Sequence, residues 1–148
     1  MDELRGVEVL MVDDSEEDLQ LALRAFKKAN LLNHVQVARD GAEALDFIFC
    51  QGPHEKRRTE DTPRVILLDL KLPKVDGLEV LQRIKSDPQT KIIPVVVLTS
   101  SKEHRDVLTS YEMGANSYIV KPVAFDGFAR AMQELGLYWL LLNNPPKP

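Results

Sequence analysis

The residues able to do chemistry in this chain sit at the ends of its apolar runs. Asp13 and Asp14 follow Val12, Asp69 follows Leu68, Thr99 follows Leu98, and Lys121 follows Val120. If these runs are strands of one parallel sheet, their carboxyl ends share an edge, where such sheets bind ligands. Three carboxylates, a hydroxyl and an ammonium then meet in a shallow site. Crowded carboxylates repel one another and destabilise a fold unless a cation compensates. An all-oxygen set without His or Cys suits a hard divalent ion, and a few carboxylates plus waters suit Mg²⁺ better than a Ca²⁺ cage. Such a site can also organise a phosphoryl group. Asp69, the central carboxylate, would be the nucleophile that accepts it as an acyl phosphate, with the Thr99 hydroxyl and Lys121 ammonium on the remaining oxygens. Each residue alone has an ordinary reading. A strand-end Asp caps a helix or turn, Thr99 or Ser100 caps the next helix (Ser100-x-x-Glu103), and Lys121 is a surface ammonium. Their coincidence on one edge favours chemistry.

The elements that must position them alternate regularly. Residues 7–12 read as a strand, and 16–30 as a helix with Leu19, Ala22, Leu23 and Phe26 on one face. Ser15 with Asp18 three residues on forms a capping-box pattern at its start. Val35-Gln36-Val37-Ala38 alternates like a half-exposed edge strand, and Asp40-x-x-Glu43 caps a second helix ending near Cys50. Residues 64–69 and 93–99 are apolar on both faces, as central strands of a parallel sheet are. Between them Gly77 to Ser86 is helical, with Leu78, Leu81 and Ile84 together. A helix over 102–113, a strand over 117–121 and a last helix from Phe125 towards Leu142 follow. The sum is five βα units: an α/β, doubly wound (βα)5 parallel sheet with helices on both faces. The stretch 51–63 reads as a surface loop, and 143–148 as a stiff proline-rich tail.

Composition narrows the function. The 148 residues are 44% hydrophobic and 28% charged, enough for one domain with a real core. A net charge of -4 argues against a nucleic-acid partner. The basic run Lys56-Arg57-Arg58 sits among acids and reads as solvated loop. Cys50 is the single cysteine, which excludes an internal disulfide and reads as a buried, inert thiol. No apolar stretch reaches membrane-span length, and the acidic N-terminus is unlike a signal peptide. A cytoplasmic protein with no membrane partner is expected.

The segments Val9-Leu-Met-Val-Asp-Asp-Ser, Val65-Ile-Leu-Leu-Asp-Leu-Lys-Leu-Pro-Lys-Val-Asp-Gly, Val95-Val-Val-Leu-Thr-Ser-Ser and Ala115-Asn-Ser-Tyr-Ile-Val-Lys-Pro resemble, in that order, the response-regulator receiver family. The resemblance implies a flavodoxin-like sheet of order 2-1-3-4-5 over a single receiver domain, 1–148 with its core at about 7–142. It implies Asp69 as phosphoacceptor for a histidine kinase, and Mg²⁺ held by Asp13, Asp14, Asp69 and the backbone carbonyl of Lys71. Thr99 and Lys121 become the phosphate-sensing pair, Tyr118 the switching aromatic, and Lys121-Pro122 a cis-peptide candidate. The long loop before the third strand and the ending Phe125-x-x-Phe128…Tyr138-Trp139 look like the small receivers that partner bacterial phytochromes. Lys71 departs from the family, which often has a neutral or acidic side chain there.

The expected function is a two-component phosphorelay switch with no output domain, acting by binding a downstream protein that the sequence does not identify. It is expected not to be an enzyme beyond its own phosphorylation and dephosphorylation. Two rivals stay open: a phosphorylation-independent scaffold, and a Mg-dependent phosphohydrolase, against which Lys71 stands where the acid/base Asp would be. The apolar segment from Tyr138 to Leu142 needs a cover. A homodimer through Tyr138, Trp139, Leu141 and Leu142 supplies one. The alternative is a helix ending by about Leu137, with the segment folded back on its own domain.

Overall fold

The computed structural model describes residues 9–31, 34–58, 61–100 and 104–137. The runs that are apolar on both faces become the sheet interior: β1 (Val9–Val12), β3 (Val65–Asp69) and β4 (Val95–Thr99), every residue of them buried. β2 (Val35–Ala38) and β5 (Ser117–Val120) form the two edges, and all pairs are parallel in the order β2-β1-β3-β4-β5. The crossovers are α1 (Glu16–Lys28), α2 (Gly41–Ile48), α3 (Gly77–Ser86) and α4 (His104–Glu112), and α5 (Phe125–Glu134) follows β5. This is the flavodoxin-like doubly wound fold expected.

Strand side chains alternate between faces, so each interior strand feeds two cores. Leu10, Val12, Ile66, Leu68, Val95 and Val97 pack with α2 and α3. Val9, Met11, Val65, Leu67, Val96 and Leu98 pack with α1 and α5, where Phe26 meets Phe128 edge-on at 4.7 Å. A one-residue slip of a strand would exchange these two sets, so the register is firmly specified. It pairs Val12 with Leu68 and Asp69 with Leu98. Asp13, the residue after Val12, is thereby level with Asp69.

Three helices end in the same way, and the last of them ends earlier than expected. α1, α2 and α5 close with a residue of positive φ: Asn30 (62°), Cys50 (56°) and Gly136 (73°). The following N–H reaches back to close the turn, as in Leu31 to Phe26 O (2.8 Å), Gln51 to Asp46 O (2.8 Å) and Leu137 to Met132 O (2.8 Å). α5 therefore stops at Glu134. The helix expected to run unbroken from Phe125 towards Leu142 is interrupted at Gly136. Tyr138, Trp139, Leu141 and Leu142, with the 143–148 tail, lie outside the described residues, as do 7–8 and 101–103.

The loop after α2 is more ordered than a solvated stretch. A 3-10 turn, Gly52–His54, opens it. The Arg57 guanidinium stacks 3.7 Å over the Phe47 ring, donates to the Phe47 carbonyl, and reaches Asp61 O at 2.7 Å. Cys50 is half-buried rather than buried, accepting from Arg57 at 3.4 Å. No helix among the described residues is long and apolar enough to cross a membrane.

Candidate functional site

The first strand ends by handing its last backbone donor to a neighbour: the Asp13 N–H donates to Ala38 O at 3.0 Å. The Asp13 side chain turns under the chain and is fully buried, its Oδ1 accepting from the Ser15 N–H at 3.0 Å. Asp69 ends β3 at 5% exposure, its Oδ1 accepting from the Lys71 N–H at 3.1 Å. Lys121 follows β5, and its N–H donates to Thr99 O at 2.8 Å. Its ammonium lies between the carboxylates: 3.0 Å from Asp69 Oδ2, 3.2 and 3.0 Å from the two oxygens of Asp13, and 2.9 Å from Asp18 Oδ2. Asp14 is exposed at the rim. Asp14, Asp18, Asp69, Lys71, Ser100 and Lys121 line an open cavity of about 510 Å³.

The charges are unbalanced. One ammonium faces Asp13, Asp18 and Asp69, with Asp14 beside them. Burial is the main cause that pushes the Asp69 carboxyl up from the usual 3.8 to about 6, and the Asp13 charge adds to it. Hydrogen bonds from the Lys71 N–H and from Lys121, with the Lys121 charge, pull the other way. Burial alone would lower Lys121, but hydrogen bonds to Asp18, Asp13 and Asp69 outweigh it and hold the ammonium above its usual range. Asp13 Oδ2 sits near the ammonium yet receives no hydrogen bond of acceptable direction. One oxygen from each of Asp13, Asp14 and Asp69 lies within 4.8 Å of the others, which together with the unpartnered buried Asp13 Oδ2 fits a divalent cation bound by oxygen ligands.

The raised carboxyl predicts a pH effect in metal-free protein. Between about pH 4 and 6 folded Asp69 keeps a proton that the unfolded chain releases, so its contribution to stability falls as pH rises through that window. A shift of about two units corresponds to roughly 2–3 kcal/mol. In EDTA, the stability gap between Asp69→Asn and the unsubstituted protein should open from near zero at about pH 4 to that size above about pH 6. Millimolar Mg²⁺ should close much of it by binding the native state. Denaturant melts across pH check this; a gap independent of pH would contradict the origin assigned to the shift.

The structure brings Asp13, Asp14, Asp69 and Lys121 together. Thr99 lies beside them on β4 at 2% exposure, with its hydroxyl donating to Ser100 O at 3.0 Å. Lys71 lines the cavity, and its side chain reaches out to Asp106 on α4 at 3.7 Å. The Lys121-Pro122 bond is cis. Tyr118 does not face the carboxylates: it is 47% exposed on β5, edge-on to Tyr111 at 6.3 Å. It borders a separate cavity of about 330 Å³ between β5 and α5. Asp18 is the site residue that sequence reasoning missed. Its N–H does bond the Ser15 hydroxyl (3.2 Å), but the Ser15 N–H is taken by Asp13, so only half of the capping box forms.

Comparison with known proteins places these features in a family. The model of the response regulator receiver domain matches residues 9–133. The solved structure of the bacteriophytochrome response regulator RtBRR is 51% identical with a TM-score of 0.83, covering 96% of this chain and 85% of that one. The "Probable methanogenesis regulatory protein FilR2" of Methanothrix harundinacea is 40% identical over 140 residues, 95% of this chain and 88% of the relative. The response regulator Rcp1 of Synechocystis is 39% identical over 132 residues, 89% of this chain and 88% of Rcp1. A crystal structure of the Mn²⁺-bound form of Rcp1 has a TM-score of 0.73 at 37% identity, covering 95% of this chain and 97% of that one.

Proposed function

The chain belongs to the response regulator receiver family, and from that premise we propose that it is switched by phosphorylation of Asp69. The observation that carries this reading is the buried Asp69 carboxylate at the sheet edge, with the Lys121 ammonium 3.0 Å away and Asp13 beside it. A carboxylate oxygen of Asp69 bonds to phosphorus as the bond from phosphorus to a histidine nitrogen of the kinase breaks. Mg²⁺ is the divalent ion proposed, held by Asp13, Asp14, Asp69 and the Lys71 carbonyl. When bound, it neutralises developing charge on the phosphoryl oxygens. Lys121 and Thr99 take the remaining oxygens.

The switch follows from the added charge, roughly -1.5 to -2 at neutral pH. The Thr99 hydroxyl leaves Ser100 O for a phosphoryl oxygen, and Tyr118 turns inward from its exposed place beside Tyr111. The face made by α4, β5 and α5 then presents a different surface to a downstream protein. A preference of about 3 kcal/mol for the switched arrangement changes the ratio of states by about two orders of magnitude.

The kinase proposed is a bacteriophytochrome histidine kinase, supported by the 51% identity to RtBRR. The setting is the cytoplasm, and the protein turns over no separate substrate. A homodimer is also proposed, through Tyr138, Trp139, Leu141 and Leu142, with the exposed Leu108, Tyr111 and Val120 of α4 and β5 as further apolar surface to cover. Light scattering at micromolar concentration should give a dimer mass, and Trp139→Glu with Leu141→Glu a monomer; a monomeric wild type, with and without phosphate, removes the dimer.

Acetyl phosphate with Mg²⁺ tests the core reading. A stable label on Asp69 supports the switch. Steady multiple turnover would make the protein a hydrolase, and no label a scaffold.

A further inference from the structure

Asp18 is the third carboxylate on Lys121 and the one with no assigned part in the switch. The ammonium donates to Asp13 and Asp69 and stands in a close ion pair with Asp18. The Asp18 contact is the shortest of the set at 2.9 Å. It exists because of a local diversion at the start of α1. Ser15 caps the helix through its hydroxyl, and its own N–H is committed to Asp13. The carboxylate of Asp18 is thereby free to reach across to Lys121 instead of folding back on the cap. Its side chain is only 24% exposed, so water screens the pair little.

A phosphoryl oxygen arriving on Asp69 finds the Lys121 ammonium held by three carboxylates. To reach the newcomer it must loosen one of these contacts. Asp13 is a proposed cation ligand and Asp69 carries the phosphoryl group, so both stay in place. Asp18 alone belongs to a helix turn outside the sheet, and its ion pair is the contact that can be exchanged.

We infer that Asp18 is a positioning residue that competes with the phosphoryl group for Lys121 and so biases the switch towards its unphosphorylated state. The inference rests on the receiver reading above and deepens it. Asp18→Asn keeps the size and one acceptor oxygen but removes the charge. A hydrogen bond to a charged group is about twice as strong as a neutral one, so the competition should weaken by about fivefold.

The experiment uses beryllofluoride, which adds to an aspartate carboxylate as a phosphoryl mimic, titrated calorimetrically at saturating Mg²⁺. Asp18→Asn should bind it about fivefold more tightly than wild type. In a Lys121→Gln background the same substitution should change affinity by less than about twofold, because its target is gone. Thermal midpoints of all four proteins establish that each is folded. Unchanged affinity in Asp18→Asn, whatever its stability, overturns the inference and leaves only a helix-terminal role. Equal tightening in the Lys121→Gln background overturns it too, since Asp18 would then act by direct repulsion. A wild type that neither binds beryllofluoride nor takes label from acetyl phosphate overturns the receiver reading itself.

Discussion

Asp69→Asn should reduce phosphate incorporation from acetyl phosphate to background, a loss of about a thousandfold or more, while the protein remains folded. The chemistry gives the direction. A neutral amide oxygen is a far poorer nucleophile than a carboxylate, and activation by position cannot restore the missing charge. Stability should move the other way. The upward push on the Asp69 carboxyl already includes the attraction of Lys121, so burial and Asp13 outweigh that attraction. An uncharged isostere at this place is therefore favoured at neutral pH in metal-free protein, by up to roughly 2–3 kcal/mol. The substitution should also blunt the rise in thermal midpoint caused by Mg²⁺, since one of the proposed ligands loses its charge. Mass spectrometry of the labelled proteins and melts with and without Mg²⁺ read all three effects. Label entering Asp69→Asn at the wild-type rate would move the acceptor to another carboxylate and end the present assignment.

How much of this was legible in the sequence depended on the range of the interaction involved. The interior strands were readable because burial on both faces leaves an uninterrupted apolar run. Their shared carboxyl edge brought Asp13 and Asp69 onto adjacent strands, while Lys121, two strands from Asp69, reaches them through its long side chain. Helix ends were less readable. Cys50 takes a positive φ that its residue type does not advertise, whereas Asn30 and Gly136 are residue types that do adopt it. Reading α5 through Gly136 to Leu142 gave weight to apolar periodicity over that signal. Asp18 was assigned to a capping box because the local pattern permits one. The competing donor, Ser15 N–H to Asp13, depends on how the chain turns after β1. Arg57 was placed in solvent by its charged neighbours, while its stacking on Phe47 is a contact between α2 and the loop that follows it. Each miss turned on a specific partner, and sequence patterns specify faces better than partners.

Gly77→Ala should be strongly damaging for so small a substitution, and its effect should reach the site. Gly77 opens α3, and its N–H donates to Leu70 O at 3.1 Å. Its backbone does not require glycine for its φ, so an alanine there would gain up to about 1 kcal/mol of helix propensity. Sterics override that gain. An added Cβ would lie 2.3 Å from Asp69 O and 2.5 Å from the Leu70 Cα, both backbone atoms that no rotamer change can move. Carbon contacts need about 3.5 Å, so α3 or the end of β3 must shift by about 1 Å. Overpacking of that kind costs about 1–3 kcal/mol, and more where backbone must yield. For a chain of this length each kcal/mol lowers the thermal midpoint by about 2–4 °C, so a fall of about 5–10 °C is expected. The displaced segment carries Asp69, and a misplacement of about 1 Å can slow a positioned reaction by about a hundredfold. Labelling by acetyl phosphate should thus be slow even well below the melting range. Gly127→Ala on α5 is the control: its Cβ would meet only Ile119 at 3.7 Å, an ordinary contact. That variant should melt within about 2 °C of wild type, or slightly above it, and label normally. If Gly77→Ala matched the control in both measurements, the close approach of α3 to the acceptor strand would not be what holds Asp69 in place.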